Sequence, residues 1–195
     1  MAYLSLAAVI LTVPIVAQII PTTTRIDTME GVAGWLSEHG VNVDYEYDLT
    51  PTKHLVNVDP AETSESAFLT YACGLFNYKI IKINNQIVLS PKNDSAPVTT
   101  QVLGTRIAEF SADDKSVEEI IALISRAKEL HIDVDHSTVA SRRIIAHFEV
   151  KNCTVREALC DLIMASKARF WTVYPTLSRV NGGPPKVIVT AVSIY

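Results

Sequence analysis

The sequence has few of the features that carry chemistry on their own. Three cysteines, Cys73, Cys153 and Cys160, occur in 195 residues without a C-x-x-C pair. That spacing writes neither a zinc ribbon nor a redox dithiol, and three thiols cannot all pair within one chain. Cys73 and Cys160 fall on or near the apolar side of expected helices and read as small buried hydrophobes. No G-x-S-x-G elbow is present. Gly182-Gly183-Pro184-Pro185 is followed by no helix and no Lys-Ser/Thr, which excludes a phosphate loop. Lys and Arg number 17 against 21 acidic residues, giving a net charge of −4, and the basic residues are scattered. With no basic stripe to track a phosphate backbone, a nucleic-acid partner is excluded.

Charge is also missing from the start of the chain: no charged side chain precedes Arg25. The apolar run Leu4–Ile20, broken by Pro14, has small residues near Ala17 and reads as a secretory signal peptide, although its n-region lacks Lys and Arg. Left uncleaved, residues 1–20 would be a membrane anchor, since about 17 residues is the lower limit for spanning a bilayer. A third reading packs this run as a buried strand of a cytosolic protein. The first two place the remainder outside the cytoplasm, in the periplasm or cell envelope, with membrane contact only through an uncleaved N-terminal segment.

What the sequence does contain is internal likeness. Val41-Asn-Val-Asp faces Ile132-Asp-Val-Asp at an offset of 91 residues, and Thr63 faces Thr154 and Ala67 faces Ala158 at the same offset. The apolar set Met29, Val32, Ala33, Leu36 faces Ile120, Leu123, Ile124, Ala127 without a gap. A tandem duplication follows, with each copy a small domain of about 75 residues, near the lower limit for independent folding. Forty-eight per cent hydrophobic residues are enough to build two such cores.

Local patterns supply the elements. A helix is expected from about Thr28 to His39, capped by Asp27 with Glu30 as its capping-box partner, and ended by Gly40. Val41–Tyr47 alternates as a half-buried strand. His54–Val58 is a further strand, and Thr63 caps a helix reaching about Leu75. Tyr78–Ile83 and Gln86–Leu89 form a hairpin around Asn84-Asn85. Residues 91–104, rich in Pro, Asn, Asp and Ser, read as a linker. In the second copy Thr105–Phe110 is a strand. Capping boxes Ser116/Glu119 and Thr154/Glu157 start two helices, and His131–Asp135, Arg143–Val150, Arg169–Tyr174 and Lys186–Ala191 are strands. Ala146, Phe148 and Val150 are expected on one face. Pro175–Pro185 is a long loop.

The expected class is therefore α+β: two tandem small domains, residues 24–90 and 105–195, each a short mixed sheet with two helices in the order β-α-β-β-α-β-β. The pattern resembles the secretin and TonB short N-terminal (STN-like) domain on Val43-Asp44 with Thr63, Ala67 and Phe68, and on Val134-Asp135 with Thr154, Glu157, Ala158 and Leu159. The resemblance implies a periplasmic module that binds other envelope proteins. No secretin barrel, plug or outer-membrane barrel pattern follows. Ser66 stands where Glu usually precedes Ala-Leu, and the Pro175–Pro185 loop is an addition.

Chemistry-bearing residues are sparse. His131, Asp133 and Asp135 share one strand face while His136 lies on the other, short of the three or four converging ligands a zinc site needs, so no metal is expected. Asp44 and Asp135, in equivalent places, are expected to accept backbone N–H groups at strand ends. Cys153 precedes a helix N-terminus, which lowers a thiol pKa and makes it the best nucleophile available. The leading expectation is a non-enzymatic binding module without cofactor, whose partners are envelope proteins or further copies of itself. The alternatives are a small secreted hydrolase using Cys153 or a histidine, and a membrane-tethered envelope sensor. No catalytic residue is assigned. Tyr174 and Arg179, beside the long loop, are the expected binding residues, with Lys186–Ala191 as the uncovered edge strand.

Overall fold

Period-2 and period-3.6 apolar patterns resolve into helices and mixed sheets in a computed structural model that describes residues 24–48, 54–58, 64–93, 97–134, 140–168, 170–176 and 186–192. The expected signal segment 1–20, Thr63, Asp135, His136 and Arg179 lie outside the described residues. The first half runs β1 (Thr24–Ile26), α1 (Met29–Glu38), β2 (Val43–Glu46), β3 (Val56–Val58), α2 (Glu65–Leu75), β4 (Tyr78–Ile83) and β5 (Gln86–Pro91). After α3 (Pro97–Gly104), the second half runs β6 (Arg106–Ser116), α4 (Val117–Ala127), β7 (Ile132–Val134), β8 (Ile144–Thr154), α5 (Val155–Ser166), β9 (Phe170–Thr176) and β10 (Lys186–Val192). The fold is α+β.

The halves share their pairing. In each, a hairpin (β4–β5, β9–β10) offers its second strand to the strand that follows the first helix (β2, β7), in parallel. In each, the remaining two strands (β1–β3, β6–β8) form a separate antiparallel pair. The offset between halves is not a constant 91. It is 88 between the N-caps Thr28 and Ser116, 89 between Val43 and Ile132, and 90 between the N-caps Ser64 and Thr154. Loops of unequal length shift each comparison by a residue, so Asp44 stands opposite Asp133 and not Asp135. At 88, Met29, Val32, Ala33, Leu36 and Ser37 of α1 face Val117, Ile120, Ile121, Ile124 and Ser125 of α4, all buried, and the sixth buried residue of α1, Trp35, faces the half-buried Leu123.

The two triplets of strands join edge to edge. One six-stranded sheet runs β4-β5-β2-β9-β10-β7, with β2 and β9 parallel at the seam. This corrects two expectations. The strand β10 is not an edge, because β7 pairs on its far side. The strand β2 is not half-buried, because all four of its residues are buried at the middle of the sheet. Part of the expected linker is helical, and α3 inserts Val102 and Leu103 into the second half's core. Two clusters of buried side chains result. Val32, Leu36, Trp35 and Phe68 centre one. Ile120, Phe148, Leu162 and Trp171 centre the other, which also takes Val88 from the first half.

Helix starts follow local hydrogen bonding. Thr28, not Asp27, caps α1 and accepts Gly31 N–H at 3.1 Å. Ser64, not Thr63, caps α2 and accepts Ala67 N–H at 3.3 Å. Both capping boxes of the second half form, Ser116 with Glu119 and Thr154 with Glu157. Replacing Ser116 by Ala is expected to lower the unfolding free energy by about 1 kcal/mol. A urea midpoint equal to that of the parent chain would show the cap to be idle. Asp114 (φ 50°) and Asn152 (φ 51°) each sit two residues before a cap and interrupt the β6–β8 ribbon. Ile145 and Phe148 point inward three residues apart, and Ala146, expected beside Phe148, is exposed.

Candidate functional site

Sheet edges carry the structure's accessible backbone. Among the described residues, β4 and β7 each pair on one side only. The β4–β5 hairpin is closed by Ile83 and Gln86 around Asn84 (φ 52°). In such a hairpin alternate residues exchange ladder bonds, so Ile83, Ile81 and Lys79 bond to β5, while Ile80 and Lys82 turn their backbone N–H groups outward. Beside this edge α2 and the hairpin leave an open groove of about 370 Å³, with Val41, Leu69, Ile80 and Ile87 as apolar lining and Glu65 and Lys82 as charged lining. Lys79 and Lys82, both exposed, were the legible signal, because lysines on a strand are a common device for keeping an edge soluble.

The β2–β9 seam shows how an edge of this fold receives a strand from the other half. Tyr45 pairs with Thr172 and Glu46 with Val173, and Tyr47 N–H donates to Val173 C=O at 2.9 Å. Side chains reinforce it. Asp44, fully buried, accepts Trp171 N–H at 2.9 Å on Oδ1, and the Cys160 thiol donates to its Oδ2 at 3.5 Å. This is the backbone-capping role expected of Asp44. Burial pushes its carboxyl up to about 7 against the opposing pull of those two hydrogen bonds, with Glu46 adding repulsion. Glu46, 2% exposed, is met by Arg156 through Nε–Oε1 at 2.5 Å and Nη2–Oε2 at 3.2 Å. Asn84 Nδ2 donates to Asp161 Oδ1 at 2.8 Å, tying the hairpin tip to α5.

The residues singled out from the sequence fall as follows. Tyr174 is half-buried, packs its ring 5.4 Å from Tyr47, and donates its hydroxyl to Glu30 Oε1 at 3.2 Å. It therefore stands at the seam, on the face shared with α1. Arg179, its expected companion, lies outside the described residues. Cys153 does not have the activated thiol expected of it. Burial, followed by the Glu157 and Asp161 carboxylates, raises its pKa. Cys160 is likewise held high by burial and by Asp44. His147, exposed, pairs with Asp113 at 2.6 Å across β6–β8, and that bond raises its pKa. His39 bonds Trp35 C=O at 2.8 Å and stacks on the indole. Among the described residues no group of three or more His, Cys, Asp or Glu side chains could hold a metal, and no helix is long and apolar enough to cross a membrane.

The Glu46–Arg156 pair was missed, and the sequence did hold a signal for it. Arg156 occupies the first turn of α5, where the helix dipole disfavours a cation unless an acid compensates. Glu46 stands between two tyrosines of a strand whose neighbours are all buried. Compared with protein-family models, with curated proteins and with solved structures, the chain matches none.

Proposed function

We propose that this chain is a non-enzymatic protein-binding module of the cell envelope that captures an extended segment of a partner, or another copy of itself, along a free sheet edge. The observation that carries this is the β2–β9 seam, where one half's edge strand takes a strand of the other half in parallel register. The edge of β4 and the apolar groove beside it offer the same two elements outward: backbone donors for affinity and side-chain seats for selectivity. The envelope setting and exported location in this proposal rest on the resemblance of the sequence pattern to the secretin and TonB short N-terminal domain. Tyr174 becomes a seam residue in this proposal, and the docking strand moves from β10 to β4.

The test is site-specific photo-crosslinking. A photoreactive residue at Lys79 or Lys82 is expected to form discrete adducts with envelope proteins or with a second copy, whereas one at Glu109, on the β6–β8 ribbon, forms none. Lys82→Pro removes one outward N–H without touching the hairpin ladder and is expected to cut adduct yield about tenfold, the effect of one net hydrogen bond. Equal yields from Lys82 and Glu109, or full yield from the proline variant, would remove β4 as the docking strand.

A further inference from the structure

A second recess, separate from the β4 groove, lies where the first turn of α1 meets the tyrosines of β2 and β4. It is lined by Met29, Glu30, Tyr45, Tyr47, Phe76 and Tyr78 together with the cap Thr28, and it holds about 50 Å³. Its aromatic walls meet at a corner: the Tyr45 and Tyr47 rings stand 87° apart with centroids at 6.3 Å. Tyr78 stacks on Tyr45 at 5.7 Å and 19°. The Tyr78 hydroxyl, with one proton to donate, lies 3.2 Å from Tyr45 Oη and 3.1 Å from Glu46 C=O, which fixes that wall. Glu30 is exposed, and its carboxylate is held by the Tyr174 hydroxyl. Among the described residues no Lys, Arg or His lines the recess.

We propose that this recess is a binding site for a primary ammonium group, carried either by a small free amine or by a lysine side chain of a partner. Tyr45, Tyr47, Phe76 and Tyr78 line the recess with aromatic π systems that attract a cation, and the Glu30 carboxylate supplies the formal countercharge. Size sets the rest of the specificity. A cavity of about 50 Å³ is far below the several hundred Å³ of a cofactor or drug site, so it seats a compact head group. Burial raises the Tyr45 phenol, and the Glu30 carboxylate adds to the rise. The site does not depend on strand capture at β4, and either can fail without the other.

The experiment uses the full chain and follows tyrosine ring proton resonances during titration with methylammonium chloride. Sodium chloride at equal ionic strength and methanol serve as the charged and neutral controls. Saturable shifts of Tyr45 and Tyr47 with methylammonium, and none with either control, are expected. Glu30→Gln keeps an acceptor for Tyr174 but loses the charge, and is expected to weaken binding at least fivefold. Tyr47→Leu removes one ring face and is expected to weaken it at least threefold. Lysine blocked at both its amino and carboxyl ends separates the sources: binding equal to methylammonium assigns a partner side chain, and exclusion of blocked lysine assigns a free amine. Tetramethylammonium, bulkier and without an N–H to donate to Glu30, is expected to bind more weakly than methylammonium. Linear, non-saturating shifts, the same response to methanol, equal binding of tetramethylammonium, or undiminished binding by Glu30→Gln would each overturn the site.

Discussion

Arg156→Ala is expected to lower the unfolding free energy by roughly 3–5 kcal/mol, the largest loss from any single exposed-to-seam substitution in this chain. The cause is what remains behind. Glu46 is 2% exposed in the parent chain, and Arg156 is its two-point partner. Without the guanidinium, a carboxylate stays buried two residues from Asp44, which already feels its repulsion. Most of the loss therefore measures an uncompensated charge and not the net strength of the pair. The double variant Glu46→Gln, Arg156→Met should recover most of it, since a neutral, well-packed seam avoids the desolvation that an ion pair suffers. Chemical denaturation of the single and double variants decides this. A loss below about 1 kcal/mol for Arg156→Ala would show that the pair is screened like a surface salt bridge.

The second large effect is a pH dependence. In the folded chain the Asp44 carboxyl is raised to about 7 from 3.8, so between those values the folded state holds a proton that the unfolded state has released. By linkage, the contribution of Asp44 is fully present below the unfolded value, declines as pH rises from about 4 to 7, and is flat above that. The size of the decline is about 4 kcal/mol. Asp44→Asn removes the titration while keeping a carbonyl for Trp171 N–H. Its stability should be level across the window where the parent chain declines, and at pH 8 it should exceed the parent. His147, also raised, declines with pH in both proteins and cancels in the comparison. An Asn variant less stable than the parent at pH 8 would mean that the ionised carboxylate is favoured by its two donors over its burial.

Local features were legible and remote ones were not. The Asn84-Asn85 hairpin, both capping boxes of the second half and the Gly40 helix end (φ 82°) are decided within five residues, and the sequence states them. The caps of the first half were misplaced by one residue, because Asp27 and Thr28, like Thr63 and Ser64, are adjacent residues that both cap well. The likeness of the halves was visible, but a gapless comparison put Asp44 against the wrong aspartate. The seam was invisible for a physical reason. Its defining contacts join residues 110 to 127 apart, and no periodicity encodes which edge meets which. Tyr174, expected as a binding residue from its nearness to a loop, makes its contacts within the chain, with Tyr47 and Glu30, which proximity in sequence does not reveal.

The separation of 127 residues between Asp44 and Trp171 also sets an order in time. At a synthesis rate of about 5–20 residues per second, β2 waits roughly 6–25 s for β9 to be made. Throughout that interval the first half can close its own core, but β2 is then an open edge bearing two acids, Asp44 and Glu46, that discourage a neighbouring chain from pairing with it. Arrival of β9, with Arg156 and the Trp171 amide, turns that open edge into a buried joint. The two acids that burden the finished sheet thus act as gatekeepers for the unfinished one, and the Asp44→Asn variant, which gains stability at pH 8, should lose yield on rapid refolding.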